Sequence, residues 1–523
     1  MTRDSPGREG PRDRVPALAA ARRDEYVRHM AELPLVQRAR SHADRTAVIT
    51  TDGSFTYREL LEASGRVASR ILAGRSDLEE ARVAFLVPPS FDYVAVQWGI
   101  WRAGGIAVPL AVSHPVAELR HVIENADASI VIADPELEET VRGAVGPAGR
   151  LLVSTRHFRN APATALPDVA EWRRALMVHT SGTTGKPKGV VTTHTNVRAQ
   201  VTSLITAWEW NGDDHILLTL PLHHVHGIIN VLTCALWAGA RCEMLPRFDA
   251  EEVWRRFVAS PITLFMAVPT IYHRLIVAWE KAAPERRKTM SDACRRMRLM
   301  VSGSAPLPVQ LLERWREICG HTLLERYGMT EIGMGLSNPL RGERIPGHVG
   351  TPVPGIEVRL VDEHGHLVDS GSTGEIQVRG TGVFCEYWRE PEETQKAFHD
   401  GWFATGDVAV VENGSYRILG RRSIDIIKTG GHKVSAWEIE ETLRSHPDIE
   451  ECAVVGVTDR DLGESVCVAV ELREGCTLTL DILRQWARER LAPYKVPREM
   501  CVTVLPRNAM GKVMKQDVTG MFG

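Results

Sequence analysis

The sequence predicts an α/β fold with several lobes. Short apolar runs rich in Val, Ile and Leu alternate with longer amphipathic runs from residue 47 to about residue 280. Strands that alternate with helices of this length pair in parallel through right-handed connections, so these runs predict two α/β subdomains. After residue 350 the apolar runs are short and separated by glycine turns, which predicts a small antiparallel β subdomain. The remaining C-terminal residues predict a small α+β domain.

The length of 523 residues exceeds what a single hydrophobic core supports. We expect a disordered lead-in over residues 1–30, a large multi-lobed N-terminal domain over residues 31–420, and a small mobile C-terminal domain over residues 421–523. The lead-in is rich in Arg, Pro and Ala, but its acidic residues are unusual for a mitochondrial presequence. A cytoplasmic location is therefore predicted, with the mitochondrial matrix as the alternative.

The individual elements follow from periodicity and turn residues. Strands are predicted over 47–51, 82–87, 106–108 and 129–133, then 175–179, 190–192, 216–220, 240–245, 262–267, 298–301 and 323–327. Residues 55–60 are predicted to pass from a second strand into a helix that ends near residue 73, and further helices are predicted over 90–103, 115–125, 195–208 with Thr195 as its cap, and 270–280. The β subdomain has predicted strands over 357–361, 374–378, 408–411 and 416–419, and the last domain has helices over 436–445 and 479–491 with strands over 451–457 and 465–471.

Residues 180–189, Thr-Ser-Gly-Thr-Thr-Gly-Lys-Pro-Lys-Gly, connect two predicted strands. Their glycines, hydroxyl groups and two lysines supply backbone N–H groups and positive charge, which is chemistry for holding a polyphosphate. A Walker A loop is excluded, because only two residues separate Gly182 from Gly185 and Lys186 is followed by proline. A plain glycine-rich hairpin is the structural alternative.

The composition excludes several classes of protein. A formal net charge of −3 gives no reason to expect nucleic acid as a partner. No apolar run reaches the length of about eighteen residues that a membrane span needs, so we predict a soluble protein. The nine cysteines lack metal-binding spacing and indicate a reducing compartment. The histidines of Pro-Leu-His-His-Val-His-Gly, residues 221–227, lie in a predicted loop and favour a ligand pocket over a metal site.

Two further segments place small or polar residues just after a predicted strand. These are Ser302-Gly-Ser-Ala-Pro306 and Gly328-Met-Thr-Glu331. Because ligands bind beyond the carboxyl ends of strands in open parallel sheets, we expect both segments at the binding site.

Six motifs, in this order, resemble those of the adenylate-forming superfamily, which includes acyl-CoA synthetases, firefly-type luciferases and peptide-synthetase adenylation domains. The motifs are residues 180–189, 303–305, 327–331, 405–407, the hinge segment that starts at Gly420-Arg421, and Gly511-Lys512. The resemblance extends from about residue 47 to the end of the chain. Within the superfamily, residues 325–334, 337–339, 344–347 and 427–431 resemble malonyl-CoA synthetases.

The resemblance implies ATP, Mg²⁺ and coenzyme A as ligands and assigns a role to each motif. The phosphates of ATP are expected at Thr180, Ser181, Gly182, Thr183, Thr184, Gly185, Lys186 and Lys188. Adenine and the α-phosphate are expected near Gly303, Ser304, Ala305, Glu325, Tyr327, Gly328, Met329 and Thr330, and the ribose at Asp407 and Arg421, with Arg422 as the alternative arginine. Mg²⁺ is expected at Glu331, the hinge and coenzyme A at Asp425, Lys428, Gly430 and Gly431, and catalysis at Lys512, Thr330 and His226.

The implied reaction joins a carboxylate to AMP, releases diphosphate, and then transfers the acyl group to the thiol of coenzyme A. The enzyme must position and neutralise anions, which suits Lys, Arg, Thr and Gly side chains. If the substrate is malonate, its second carboxylate needs a cation in the pocket. Arg298 is the first candidate, because it leads into the segment 302–306, and His226 and Arg274 are weaker ones. Ligation of methylmalonate or another short or medium-chain acid, loading of a carrier protein, and an inactive nucleotide-binding homologue are the alternatives.

Overall fold

The computed structural model of the protein describes residues 32–145, 150–158, 161, 164–180, 187–507 and 513–522. The predicted lead-in over residues 1–30, residues 181–186 of the phosphate-binding motif, and Lys512 lie outside these residues. Within the described parts of the chain, the strands form four β-sheets, here called sheets A to D.

Sheet A is a mixed sheet with a parallel centre. Its strand order is β15-β14-β13-β12-β11-β9-β10-β1-β2, and the pairs from β13 to β1 are parallel. The strands are β1 (Thr46–Thr50), β2 (Gly53–Thr56), β9 (His215–Leu218), β10 (Arg241–Met244), β11 (Leu264–Ala267), β12 (Leu299–Ser302), β13 (Leu324–Met329), β14 (Gly333–Ser337) and β15 (Thr351–Pro352).

Sheet B is the second α/β sheet, with the order β18-β8-β7-β4-β3-β5-β6. It contains β3 (Arg82–Leu86), β4 (Ile106–Pro109), β5 (Ile130–Ala133), β6 (Leu151–Ser154), β7 (Arg174–Thr180), β8 (Lys188–Thr193) and β18 (Glu386–Tyr387). Strands β7 and β8 are antiparallel neighbours, so the phosphate-binding motif joins two adjacent strands.

Sheets C and D form the two smaller β units. Sheet C contains β16 (Ile356–Val361), β17 (Gly374–Gly380), β19 (Phe398–His399), β20 (Trp402–Glu412) and β21 (Ser415–Arg421). Sheet D contains β22 (Ile426–Thr429), β23 (His432–Ser435), β24 (Ile449–Asp459), β25 (Gly463–Leu472) and β26 (Glu499–Val502). The predicted domain boundary at residues 420 and 421 falls at the end of β21.

The helices cover the parallel strands and pack on sheet D. They are α1 (Pro34–Ser41), α2 (Tyr57–Leu72), α3 (Phe91–Arg102), α4 (Val116–Asn125), α5 (Glu138–Val145), α6 (His194–Trp208), α7 (Cys234–Ala238), α8 (Ala250–Ala259), α9 (Pro269–Lys281), α10 (Pro284–Arg295), α11 (Val309–Cys319), α12 (Pro391–Ala397), α13 (Ala436–Arg444), α14 (Leu480–Arg488) and α15 (Lys515–Thr519). A π-helix over His226–Thr233 precedes α7.

The predicted α/β fold class is confirmed, but several details differ from the expectation. Strands β1 and β2 join sheet A rather than the sheet of the strands that follow them, a long-range pairing that local periodicity does not encode. The cap of α6 is Thr193, whose side chain accepts from the backbone N–H of Asn196, and Thr195 lies inside the helix. His226 begins the π-helix instead of lying in an open loop. Such helices are frequent at functional sites.

The hydrophobic core is divided in the same way as the sheets. The largest buried cluster contains residues of both sheet A and sheet B, among them Val48, Phe85 and Leu299. Two other clusters contain only residues beyond position 426. The C-terminal residues therefore have a core of their own, as expected of a separate domain.

A buried ionic cluster connects the hinge to the C-terminal core. Lys515 Nζ lies 2.6 Å from both Asp425 Oδ1 and Glu440 Oε1. The other oxygen of Asp425 accepts from the backbone N–H of Arg421 at 3.0 Å. A Cβ atom at Gly420 would come within 2.3 Å of Asp425 Cβ, and Gly420 has φ +124°, so only glycine permits this turn.

Among the described residues we find no helix long and apolar enough to cross a membrane.

Candidate active site

The site forms where β12 and β13 end. Ser302 pairs with Glu325 across these parallel strands, so the segments that follow both strands leave the same edge of sheet A. Ser304 adopts φ +69°, which is uncommon for a residue with a side chain. Its hydroxyl lies 3.2 Å from His226 Nδ1 and 3.4 Å from an Arg326 nitrogen. The loop thus holds a strained serine between an imidazole and a guanidinium group.

Arg326 is a buried cation beside this serine. Its side chain packs on Gly303, where a Cβ atom would come within 2.5 Å of the guanidinium. Burial lowers the pKa of Arg326 to about 10, so it remains protonated near neutral pH. Its Nε has no hydrogen-bond partner, and among the described residues no carboxylate forms an ion pair with it. A buried, unneutralised guanidinium is costly unless an anion arrives.

His226 faces the same cation. Burial lowers the pKa of His226 well below its usual value, and the positive charge of Arg326 acts in the same direction. Its Nε2 is buried without a partner. His226 is therefore a neutral imidazole with one nitrogen free for a ligand.

The structure places Arg298, the first predicted substrate cation, away from the site. Arg298 precedes β12 and so lies at the opposite end of that strand, about 13 Å from Ser302 at 3.3 Å per residue. Its guanidinium is occupied by Asp214, with hydrogen bonds of 2.7 and 2.6 Å. Arg274 is on the exposed face of α9. The Arg298 guanidinium is therefore not available to a carboxylate at the edge where the strands end, and the role of Arg274 stays a prediction.

Replacing Arg298 by methionine is expected to reduce stability without changing the site. Asp214 is only 2% exposed, so removing its cation should cost about 3–5 kcal/mol of folding free energy. Thermal unfolding measures this loss, and Arg296→Met, which removes an exposed arginine nearby, is the matched control. A rise in the KM for malonate of more than about two-fold in folded Arg298→Met protein would contradict the structural role.

Glu325 is a buried carboxyl group next to Arg326 in sequence. Its Oε1 accepts a 3.3 Å hydrogen bond from the backbone N–H of Leu307, and its Oε2 has no partner. Burial raises the pKa of Glu325 to about 8. The group is therefore mostly protonated near neutral pH and can donate a hydrogen bond as well as accept one.

Stability is expected to depend on this carboxyl group above pH 4.5. Because the folded state holds the proton up to about pH 8, the contribution of Glu325 to stability falls as the pH rises from about 4.5 through 8. Glu325→Gln cannot ionise, so it should match the wild type at low pH and be roughly 2–4 kcal/mol more stable at pH 8.5. Thermal unfolding across this range checks the prediction. A difference that stays constant with pH would contradict it.

A second part of the site lies on sheet C. Tyr327, in the second half of β13, donates its hydroxyl to Asp407 Oδ2 at 2.5 Å, and Arg421 Nε lies 3.0 Å from Asp407 Oδ1. Arg422 instead pairs with Glu375 at 3.0 Å. Of the two adjacent arginines, Arg421 is therefore the one held beside Asp407, which supports the predicted ribose pair.

Glu331 follows β13 and is buried. Tyr387 donates its hydroxyl to Glu331 Oε1 at 3.0 Å, and burial raises the pKa of Glu331. A buried carboxyl group with one hydrogen bond suits a hard cation such as Mg²⁺. The described residues contain no group of three or more protein ligands for a metal, so phosphate and water oxygens would complete the coordination. The histidines of residues 221–227 are not part of such a group among the described residues, and their pocket role stays a prediction.

The remaining predicted residues are only partly described. Thr180 ends β7 and Lys188 begins β8, while Ser181, Gly182, Thr183, Thr184, Gly185, Lys186 and Lys512 lie outside the described residues. Gly328 and Met329 end β13, and half-buried Thr330 follows them. Gly430 and Gly431 form the turn between β22 and β23, and Lys428 is exposed on β22. Their roles stay predictions.

Sequence reasoning missed Arg326, Tyr387, Glu393 and Lys515. A signal for Arg326 was present: it is a charged residue inside a buried strand, between two predicted nucleotide contacts. Tyr387, Glu393 and Lys515 contact residues that are far away in sequence, as Glu393 contacts Lys188. No local sequence pattern therefore indicates them.

This arrangement defines an adenylate-forming site, and comparison with known proteins agrees. The chain belongs to the AMP-binding enzyme family, whose model matches residues 35–388, and the model of the AMP-binding enzyme C-terminal domain matches residues 438–512.

Individual relatives are similar over nearly the whole chain. The malonate–CoA ligase ACSF3, mitochondrial, of Mus musculus is 47% identical over 524 residues, which cover 93% of this chain and 90% of that protein. A malonate–CoA ligase of Arabidopsis thaliana is 40% identical over 92% of this chain and 86% of its own length. The crystal structure of ATP-bound MatB from Rhodopseudomonas palustris has a TM-score of 0.86 at 33% identity and covers 94% of this chain and 99% of its own.

Proposed function

We propose that this protein is an ATP-dependent malonate–CoA ligase. It would convert malonate, ATP and coenzyme A into malonyl-CoA, AMP and diphosphate through a malonyl adenylate. The observation that carries the choice of a dicarboxylic acid is the buried guanidinium of Arg326, which has no carboxylate partner among the described residues. The similarity to two malonate–CoA ligases supports the same choice.

In the first step one carboxylate oxygen of malonate attacks the α-phosphorus of ATP, and diphosphate leaves. The second carboxylate would pair with Arg326, with Ser304 and His226 as hydrogen-bonding neighbours. A carboxylate at this position removes the cost of a buried lone cation, so substrate binding and substrate choice are coupled. An acid with an apolar end would leave Arg326 uncompensated, and is therefore rejected.

The nucleotide would be held by groups from three elements. Asp407 accepts from the ribose hydroxyls while Arg421 stays beside it. The mostly protonated Glu325 offers both a donor and an acceptor to the edge of adenine, which itself presents a donor and an acceptor. Mg²⁺, when bound at Glu331, would neutralise phosphate charge. Lys512 would reach the reacting groups from the C-terminal domain.

In the second step the thiol of coenzyme A attacks the acyl carbon and AMP leaves. We propose that the C-terminal domain rotates about the segment from Gly420 to Lys428, so that Gly430 and Gly431 approach the pantetheine arm. The turn of Gly420 against Asp425 and the buried Lys515 give this segment one well-defined conformation in the structure. A rotation would have to break this ionic cluster or move all of its residues together.

The test is the release of diphosphate and the formation of CoA thioester by the purified protein with ATP and Mg²⁺. Malonate, methylmalonate, acetate and octanoate are compared at equal concentration. A preference for malonate of at least about 10²-fold over acetate and octanoate is expected, because an unpaired buried charge costs several kcal/mol. Preference for a monocarboxylic acid would overturn the proposal, and diphosphate release without thioester would indicate a carrier protein as the acceptor.

The location of the protein is also a proposal. The Mus musculus relative is named as mitochondrial, which supports the mitochondrial alternative to the predicted cytoplasmic location. Fractionation of the source cells decides between the two compartments.

A further inference from the structure

Glu393 on α12 pairs with Lys188, the last lysine of the phosphate-binding motif. Its Oε2 lies 2.7 Å from Lys188 Nζ, and its Oε1 lies 3.0 Å from Lys396 Nζ. Each oxygen of the carboxylate thus binds one lysine. Lys396 comes from the same helix, three residues further on, whereas Lys188 comes from the start of β8, 205 residues earlier in the chain.

Lys188 is half-buried and its ammonium group has two attractive neighbours. Besides Glu393, it lies 5.3 Å from the centre of the Tyr387 ring. The hydroxyl of the same tyrosine donates to Glu331, the proposed Mg²⁺ ligand. Among the described residues Glu393 is the one carboxylate paired with Lys188. A phosphate group that arrives at Lys188 would therefore compete directly with Glu393 for the ammonium.

We propose that Glu393 is an internal competitor of the nucleotide, which pairs with Lys188 until the β- and γ-phosphates of ATP replace it. The inference rests on the proposed function, because it requires ATP phosphates at Lys188. After the exchange Glu393 keeps Lys396 as its partner, so the released carboxylate is not left alone. The Lys188–Glu393 pair therefore sets the affinity for ATP. Whether α12 contacts Lys188 then depends on whether the phosphate site is occupied.

The competition is modest and independent of pH in the neutral range. Lys188 and Lys396 hold the pKa of Glu393 at about 2, so the carboxylate is always ionised under working conditions. The side chains of Lys188 and Glu393 are 23% and 35% exposed, which weakens their attraction relative to a fully buried pair. We expect the loss of Glu393 to tighten ATP binding about two- to five-fold.

The first experiment is calorimetric titration of the full chain with ATP, without malonate and coenzyme A. Glu393→Gln should lower the Kd for ATP about two- to five-fold and leave the Kd for AMP unchanged, because AMP lacks the β- and γ-phosphates. Glu392→Gln makes the same change in charge at the neighbouring exposed residue and should leave both values unchanged. Equal effects of the two variants, or unchanged or weaker ATP binding in Glu393→Gln, would overturn the proposal.

A second measurement separates direct competition from general electrostatics. Lys396→Gln leaves Glu393 with Lys188 alone and should weaken ATP binding about two-fold. In the double variant Glu393→Gln/Lys396→Gln, the loss of Lys396 should no longer weaken ATP binding, because Glu393 is absent. If both residues act only through general electrostatics, the effects of the two substitutions on ATP binding should instead add. Additive effects would overturn the proposal.

Failure of this proposal can be told from failure of the proposed function. Malonyl-CoA formation by the wild type tests the function alone. An active ligase whose Glu393→Gln variant binds ATP like the wild type would overturn only the competition, whereas a wild type that binds no ATP would overturn both.

Discussion

Replacing Arg326 by methionine should lower kcat/KM for malonate by about 10²–10³-fold, because the second carboxylate loses its buried cation. The Kd for ATP should stay within about three-fold, since Arg326 points to Ser304 and His226 rather than to the ribose pair. Steady-state kinetics with malonate and calorimetric titration with ATP measure the two effects.

The same variant should become more stable, which separates a binding role from a structural one. In the wild type the guanidinium of Arg326 is buried without a carboxylate among the described residues, so its removal relieves a desolvation cost. We expect the Tm in the absence of ligands to rise. Arg344→Met is the control, because half-buried Arg344 donates to three backbone carbonyl groups and its loss should lower the Tm. A lower Tm together with an unchanged KM for malonate in Arg326→Met would contradict the account.

Replacing Arg421 by methionine should weaken ATP binding about 30–100-fold, while Arg422→Met should change it less than two-fold. Arg421 lies 3.0 Å from Asp407 in a partly buried pair, and its loss leaves that carboxylate without its cation next to the ribose. Arg422 is 53% exposed at its side chain and pairs with Glu375, away from Asp407.

The two arginines are matched controls for each other, because they are adjacent and both variants remove one positive charge. Calorimetric titration with ATP measures both Kd values, and thermal unfolding confirms that both variants are folded. If Arg422→Met weakened ATP binding as much as Arg421→Met, the assignment of the ribose pair would be wrong.

Much of the fold was predictable, because local sequence patterns indicate where most of the strands lie. Alternation of apolar runs and glycine turns located most strands of sheets A to D to within about two residues. The assignment of strands to sheets was not predictable, because β1 pairs with β10, about 190 residues later in the chain, and β2 joins sheet A through β1. Such pairing depends on contacts between segments that are distant in sequence, and no window of the sequence contains it.

The site was partly predictable for a related reason. Motif order located Ser304, Tyr327, Asp407 and Glu331, whose geometry is consistent with the expected roles. The substrate cation was predicted at Arg298, although that residue precedes β12 and ligands bind at the opposite ends of parallel strands. The direction of the strand favoured Arg326, which is the last residue of the buried part of β13. Partners such as Glu393 for Lys188 depend on tertiary structure alone.

The most direct test of the account compares malonate with monomethyl malonate, in which one carboxylate is neutralised at nearly the same size. For the wild type we expect kcat/KM for malonate to exceed that for the half-ester by about 10²-fold or more, since only malonate offers an anion to Arg326. In Arg326→Met this ratio should fall to within about ten-fold of one. A wild type that uses both acids equally well, or a ratio that is the same in Arg326→Met, would contradict the role of Arg326 in selecting the substrate.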